Sequence, residues 1–299
     1  MNAVLSRFRF VVLTLCLVSG IGAAAEKLVV QSVNYPLHYF AERLATDSFD
    51  VRYLVDLEVD PAFWNPTDDD LVAFQQADLI IRNGADYAKW MDTVTLPRSI
   101  MLDTSKGFSA AYLESGSDAH QHGEDVDHSH GGTAFTTWID FKQAIQQAEA
   151  IADRFKELRP EEAELIQEKF ESLSADLLRL DGSLKAFGAA WGDRPLLASH
   201  PIYQYLDRAY GLNIEALEWE PEMELNEAAL QELKAARSSH PAEWMVWEGT
   251  ATDENVAALE LLGISSVVFS PCANRPVEGD WLVEMRRNIK NLEGLLAGQ

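Results

Sequence analysis

The sequence predicts an α/β protein of two lobes, each a small mostly parallel sheet flanked by helices, joined by one long linker helix. Three observations predict it. Short apolar segments alternate with helical patterns in both halves of the 299-residue chain, the signature of βα units with parallel strands. Between the halves, Ile166, Phe170, Leu173, Leu177, Leu180, Leu184 and Phe187 recur at steps of four and three, which makes one apolar stripe along an uninterrupted helix. Finally, apolar strands run directly into polar residues, at Ser199-His200 after 196–198 and at Glu248 after Trp244–Trp247. Carboxyl ends of buried strands are where open α/β sheets place their ligands.

Composition bounds the partners. At 47% hydrophobic the chain can bury one large core or two ordinary ones. A formal charge of -24, from 24 Lys+Arg against 48 Asp+Glu, argues against nucleic acid and anionic membrane surfaces. Arg7 and Arg9, the apolar run 10–20 and Ala23-Ala24-Ala25 read as a cleaved signal peptide over residues 1–25. The run is too short to span a bilayer, and Leu15 before Cys16 argues against lipoprotein processing. The mature chain is expected to begin near Glu26, outside the cytoplasm. Cys272 is then alone, so no intrachain disulfide is expected; it reads first as a small buried hydrophobe.

The first lobe is expected over 26–158. Strands are predicted at 27–33, 50–57, 78–83 and 99–102, with helices at 37–45, 68–76 and 139–158, the last ended by Pro160. The linker is expected over 159–191, with one helix from 161 to 190 that would run roughly 45 Å at 1.5 Å per residue. Its stripe fits either a coiled-coil dimer arm or a spine packed against both lobes, and the return of βα units after it favours the spine. Asp181-Gly182 is its weak point, costing about 1 kcal/mol against alanine. The second lobe, 192–299, repeats the pattern. Strands are expected at 196–199, 214–217, 244–247 and 266–269. Helices are expected from Ile202, from an Asn226 cap to Ala236, over 253–262 and over 281–296.

Histidines are the most informative polar residues. His200 stands at a strand end and is the strongest single site candidate, against the alternative of a core histidine bonded to backbone. Residues 118–132 read as a polar surface loop carrying His120, His122, His128 and His130 as two His-x-His pairs among four carboxylates. Imidazole with carboxylate suits zinc and its neighbours, so weak, adaptable metal capture is expected there rather than an idle loop. Glu220 and Glu248 stand at strand ends of the same lobe as His200, and Cys272 and His38 at similar topological places. Each has a plainer reading: a turn residue, a buried acceptor, a small hydrophobe and a surface histidine. His240, before Pro241, reads as a loop residue.

Taken together, these segments resemble the periplasmic metal-binding proteins that deliver zinc or manganese to ABC importers, in the cluster with a single long linker helix. The resemblance rests on Ser32-Val33-Asn34-Tyr35-Pro36-Leu37, on Asp60-Pro61-Ala62-Phe63-Trp64-Asn65-Pro66-Thr67, and on the acidic His-rich loop. It rests further on Trp138-Ile139-Asp140, the linker helix, Ser199-His200-Pro201 and Val268-Phe269-Ser270-Pro271. It covers essentially the whole mature chain. It implies a periplasmic, monomeric, non-enzymatic solute-binding protein with a divalent metal ion as ligand and an inner-membrane ABC permease as partner. It also implies four ligand positions, of which His200 matches. The others are occupied by Ala62, Thr136 and Ser270, so replacement ligands in the cleft, donation by the loop histidines, or a changed ligand remain open. The metal set expected from the sequence is His200, Glu248, His120, His122, His128 and His130, with zinc the expected ion and manganese or another divalent metal close behind. A metallochaperone or zinc buffer without a permease, and a non-metal solute binder, are the alternatives. An enzyme is not expected, because adjacent Ser199 and His200 make no nucleophile–base pair and no nucleophile elbow or phosphate loop occurs.

Overall fold

The computed structural model describes residues 26–115 and 132–297. The expected signal segment and His120, His122, His128 and His130 lie outside the described residues. Two four-stranded parallel sheets organise the chain. The first contains β1 (Leu28–Ser32), β2 (Phe49–Arg52), β3 (Leu79–Arg82) and β4 (Met101–Asp103) in the order β2-β1-β3-β4. Its helices are α1 (Tyr35–Leu44), α2 (Asp68–Gln75) and α3 (Phe141–Leu158). The second contains β5 (Pro195–Ala198), β6 (Asn213–Ala216), β7 (Trp244–Trp247) and β8 (Ser265–Val268) in the order β6-β5-β7-β8. Its helices are α5 (Gln204–Tyr210), α6 (Glu227–Ser239), α7 (Asp253–Leu261) and α8 (Trp281–Ala297). Each half thus reverses strand direction of travel at the same place, between its first and third strands, which opens a crevice there.

Local chemistry sets the element starts. Asn34 ends β1, and its side chain accepts the Leu37 N–H at 3.1 Å to cap α1. Thr67 and Asp70 form a reciprocal capping box on α2. The Asp140, Asn226 and Thr252 side chains accept first-turn N–H groups and so cap α3, α6 and α7. Several expected boundaries move by a residue or more, and three of them bear on the cleft or the linker. β2 stops at Arg52 instead of running to 57, because the Asp56, Leu57 and Val59 carbonyls accept from Asn274 Nδ2 of the other lobe at 2.6, 3.3 and 2.8 Å. The helix expected from Ile202 begins at Gln204, since the Ile202 N–H first closes a turn onto the His200 carbonyl at 2.9 Å. A 3₁₀ turn over Pro160–Glu162 precedes the linker helix.

That linker, α4 (Ala163–Trp191), is one helix of 29 residues. Of its stripe, Ile166, Leu173, Leu177, Leu180, Leu184 and Phe187 are buried within this chain, and Phe170 packs half-buried beside them. It is a spine, not a dimer arm. It packs against α1 and α3 on the first half and against α5 and α8 on the second. Burying each large aliphatic side chain stabilises by about 1.5–3 kcal/mol, so the stripe alone anchors both halves. Gly188 is required on it, because a Cβ there would lie 2.0 Å from the Tyr210 carbonyl oxygen.

The halves are bonded as well as packed. Trp138 Nε1 donates to the Pro271 carbonyl at 2.8 Å, and the Tyr205 hydroxyl donates to the Ala134 carbonyl at 2.9 Å. Arg208 pairs with Asp140 at 3.0 Å. The closing helix α8, expected to serve the second lobe, also covers the first: the Trp281 ring lies 5.0 Å from Phe40 and 6.1 Å from Phe141. The larger apolar cluster is therefore continuous through both halves. A smaller one, built on Leu197, Trp219, Met245 and Trp247, lies within the second. No helix among the described residues is long and apolar enough to cross a membrane.

Candidate metal centre

Three strands deliver the site. After β5 the Ser199 N–H continues the ladder to the Val246 carbonyl at 2.9 Å, and the chain turns at His200. After β6 the Trp219 N–H bonds the Ser199 carbonyl at 2.6 Å, which brings Glu220 alongside. β7 ends at Trp247, and Glu248 follows. Because β5 lies between β6 and β7, and the strand order reverses between β5 and β7, His200 and Glu248 flank the crevice of the second sheet. One ligand atom from each of His200, Glu220 and Glu248 lies within 4.8 Å of the others. His200 Nδ1 is 3.5 Å from Glu220 Oε1, and His200 is buried at 8% exposure. Donors bound to one cation at about 2.0–2.2 Å stand roughly 3–4 Å apart, so a small contraction closes the three around an ion.

Their electrostatics call for a cation. Burial first, and then the facing Glu220 with Asp60 and Glu222 behind it, together push the Glu248 carboxyl well above the usual carboxylate range. A cation beside Glu248 offsets both effects, because a nearby positive charge favours the ionised carboxylate. Behind the site the Tyr203 hydroxyl donates to the Phe269 carbonyl at 2.8 Å, and burial holds its phenol well above the usual range. The three donors open into a cleft of about 890 Å³ between the halves, which Asp60, Tyr87, Thr136 and Ser270 also line.

The positions that the resemblance marks as ligands do other work. Ala62 has no donor. The Thr136 hydroxyl donates to the Ile202 carbonyl. The Ser270 hydroxyl accepts the Cys272 N–H at 3.2 Å. Of two further candidates, one is placed as expected and one is not. Cys272 is buried, as its first reading had it; it lines the cleft, but its thiol points to the Asn274 carbonyl at 3.5 Å, and burial raises it far above the usual thiol range. His38 is a buried histidine rather than a surface one, stacked on Tyr53 with ring centroids 5.6 Å apart and absent from the cleft lining. His240 is buried with Nε2 2.9 Å from the Leu196 carbonyl, a structural role. Asp60 and Glu222 were missed as contributors to the site's field. The only sequence signal for them was acidity beside Pro61 and Pro221, which surface turns share.

With that geometry in place, the chain can be set beside known proteins. Residues 29–294 match the family described as ZnuA, zinc-uptake complex component A, periplasmic. The chain belongs to this family. The high-affinity zinc uptake system protein ZnuA of Bacillus subtilis is 24% identical over 77% of this chain and 73% of its own length. The zinc-binding lipoprotein AdcA of Streptococcus pneumoniae is 22% identical over 90% of this chain. This chain spans only 56% of AdcA, little more than half its length. Among solved structures, the metal-dependent lipoprotein YcdH of Bacillus subtilis superposes with a TM-score of 0.75 at 20% identity, over 91% of this chain and 99% of that one. At that identity the likeness shows the fold, including the two parallel sheets and the joining helix.

Proposed function

We propose that this chain is a periplasmic solute-binding protein that captures zinc, or a similar divalent metal, between His200, Glu220 and Glu248 and hands it to an ABC import permease. The observation that carries the reading is the convergence of one buried imidazole and two carboxylates at the crevice of the second sheet. Family membership supports the transport role. One nitrogen and two oxygen donors suit zinc, and manganese next to it. On this reading residues 1–25 direct export and are removed, the mature protein acts as a monomer, and no bond is made or broken. His120, His122, His128 and His130 then supply imidazole donors for a second, weaker class of metal binding.

Metal content tests the reading. Protein isolated from the periplasm without chelators should hold zinc, and His200→Ala and Glu248→Gln should each remove about one equivalent while leaving the loop's share. Adding loaded protein to the reconstituted permease should stimulate ATP hydrolysis. If both variants hold as much metal as the parent, the cleft is not the metal site.

A further inference from the structure

We propose that the cleft takes its metal as a complex with a small amino-acid-type chelator, whose nitrogen and oxygen donors complete the coordination that His200, Glu220 and Glu248 begin. The inference rests on the reading that these three side chains hold the metal, and it names the form in which the cargo arrives.

Donor number is the first argument. A captured zinc ion needs about four ligands and manganese about six, whereas the described residues bring three together. Ala62, Thr136 and Ser270 supply none of the rest, for the reasons of chemistry and hydrogen bonding already given.

Space is the second argument. The cleft holds about 890 Å³, whereas a water occupies about 30 Å³, so a bare ion with its remaining waters fills a small part of it. That volume lies within the roughly 300–1,000 Å³ of pockets that take small organic ligands. Its walls have the matching character: Phe63, Tyr87, Phe135, Ile202 and Pro221 offer apolar and aromatic surface beside the three donors.

Charge is the third argument. Glu58, Asp60, Glu220, Glu222 and Glu248 all line the cleft, which disfavours polyanionic chelates and favours neutral nitrogen donors. Arg275 lines the same cleft, stacked 5.0 Å from the Tyr53 ring with one N–H on the Tyr53 carbonyl at 3.0 Å. Guanidinium has five N–H donors, so this group can receive a single carboxylate. An α-amine and a ring nitrogen for the metal, with a single carboxylate on the carbon that bears the amine, describe an amino-acid chelator such as histidine.

The test uses the full mature chain, zinc and radiolabelled L-histidine, with zinc and label both counted on the protein after gel filtration. About one histidine per chain should be retained, only when zinc is present. Retention should fall at least tenfold in His200→Ala and in Glu220→Gln, whose side chain is 63% exposed and tolerates change without unfolding. Both variants keep the loop histidines, so label held by the loop would survive them. Zinc that depends on His200 and Glu220 but carries no histidine would overturn the proposal and leave the metal reading standing. Histidine retained equally by the variants would overturn it as well, by assigning the complex to the loop. Zinc content unchanged in both variants would instead remove the cleft reading itself.

Discussion

Trp138 of the first half donates its indole N–H to the Pro271 carbonyl of the second at 2.8 Å. Trp138 is fully buried, and Pro271 follows the last strand and lines the cleft. The bond therefore fixes the loop after β8 against the first half. Trp138→Phe leaves that carbonyl without its partner and opens a small void. It should cost about 2–3 kcal/mol, read as a lower urea midpoint. An unchanged midpoint would mean that this bond adds nothing to stability beyond the packing and the other bonds between the halves.

The linker helix makes two opposite predictions from one substitution. Gly182→Ala adds a Cβ that meets nothing within 4 Å, so it should gain the helix-propensity difference of about 0.5–1 kcal/mol. Gly188→Ala should lose stability despite the same propensity gain, because its Cβ would lie 2.0 Å from the Tyr210 carbonyl oxygen. Thermal denaturation of the two variants checks both signs.

His38 links stability to pH. Burial pulls its pKa down from 6.5 to about 4, with Arg275 adding to the fall. The Glu42 carboxylate, 3.4 Å from Nε2, opposes this weakly because it is 54% exposed. The unfolded chain thus binds the proton first on acidification. The contribution is complete above pH 6.5 and is lost as pH falls through about 4, by an amount on the order of 3 kcal/mol. His38→Phe keeps the stack on Tyr53 and removes the titration. It should flatten stability between pH 7 and pH 4.5, measured by denaturant midpoint at each pH.

Much of the architecture was legible because it follows from periodicity. The stripe from Ile166 to Phe187 and the apolar strands each report a buried face within a single element. His200 and Glu248 were legible for the same reason, as polar residues stopping an apolar strand. What sequence could not supply were partners across the fold. β2 ends early because Asn274, over two hundred residues away, takes the carbonyls that would have extended it. Trp281 reads as one more apolar helix residue until Phe40 and Phe141 meet it. Glu220 could be named as a candidate, but its nearness to His200 depends on β6 lying beside β5. His38 was misjudged as exposed because α1 is buried on nearly every side.

The loop histidines carry their own expectation. Deleting residues 118–130 should lower zinc stoichiometry while sparing the tightest site, and the metal it removes should be the first released on acidification. Each imidazole must be neutral to coordinate, so with an ordinary pKa of about 6.5 that release belongs between pH 7 and about 5.5. Zinc titration calorimetry at both pH values separates the two classes of site, and equal stoichiometry in both proteins would make the loop a tether only.

The most direct measurement is an anomalous difference map at the zinc edge from crystals grown with zinc. The account predicts a peak in the second-sheet crevice, about 2.0–2.2 Å from a ring nitrogen of His200 and from oxygens of Glu220 and Glu248. A peak confined to residues 118–132, or a crevice with no peak in zinc-saturated crystals, would contradict it.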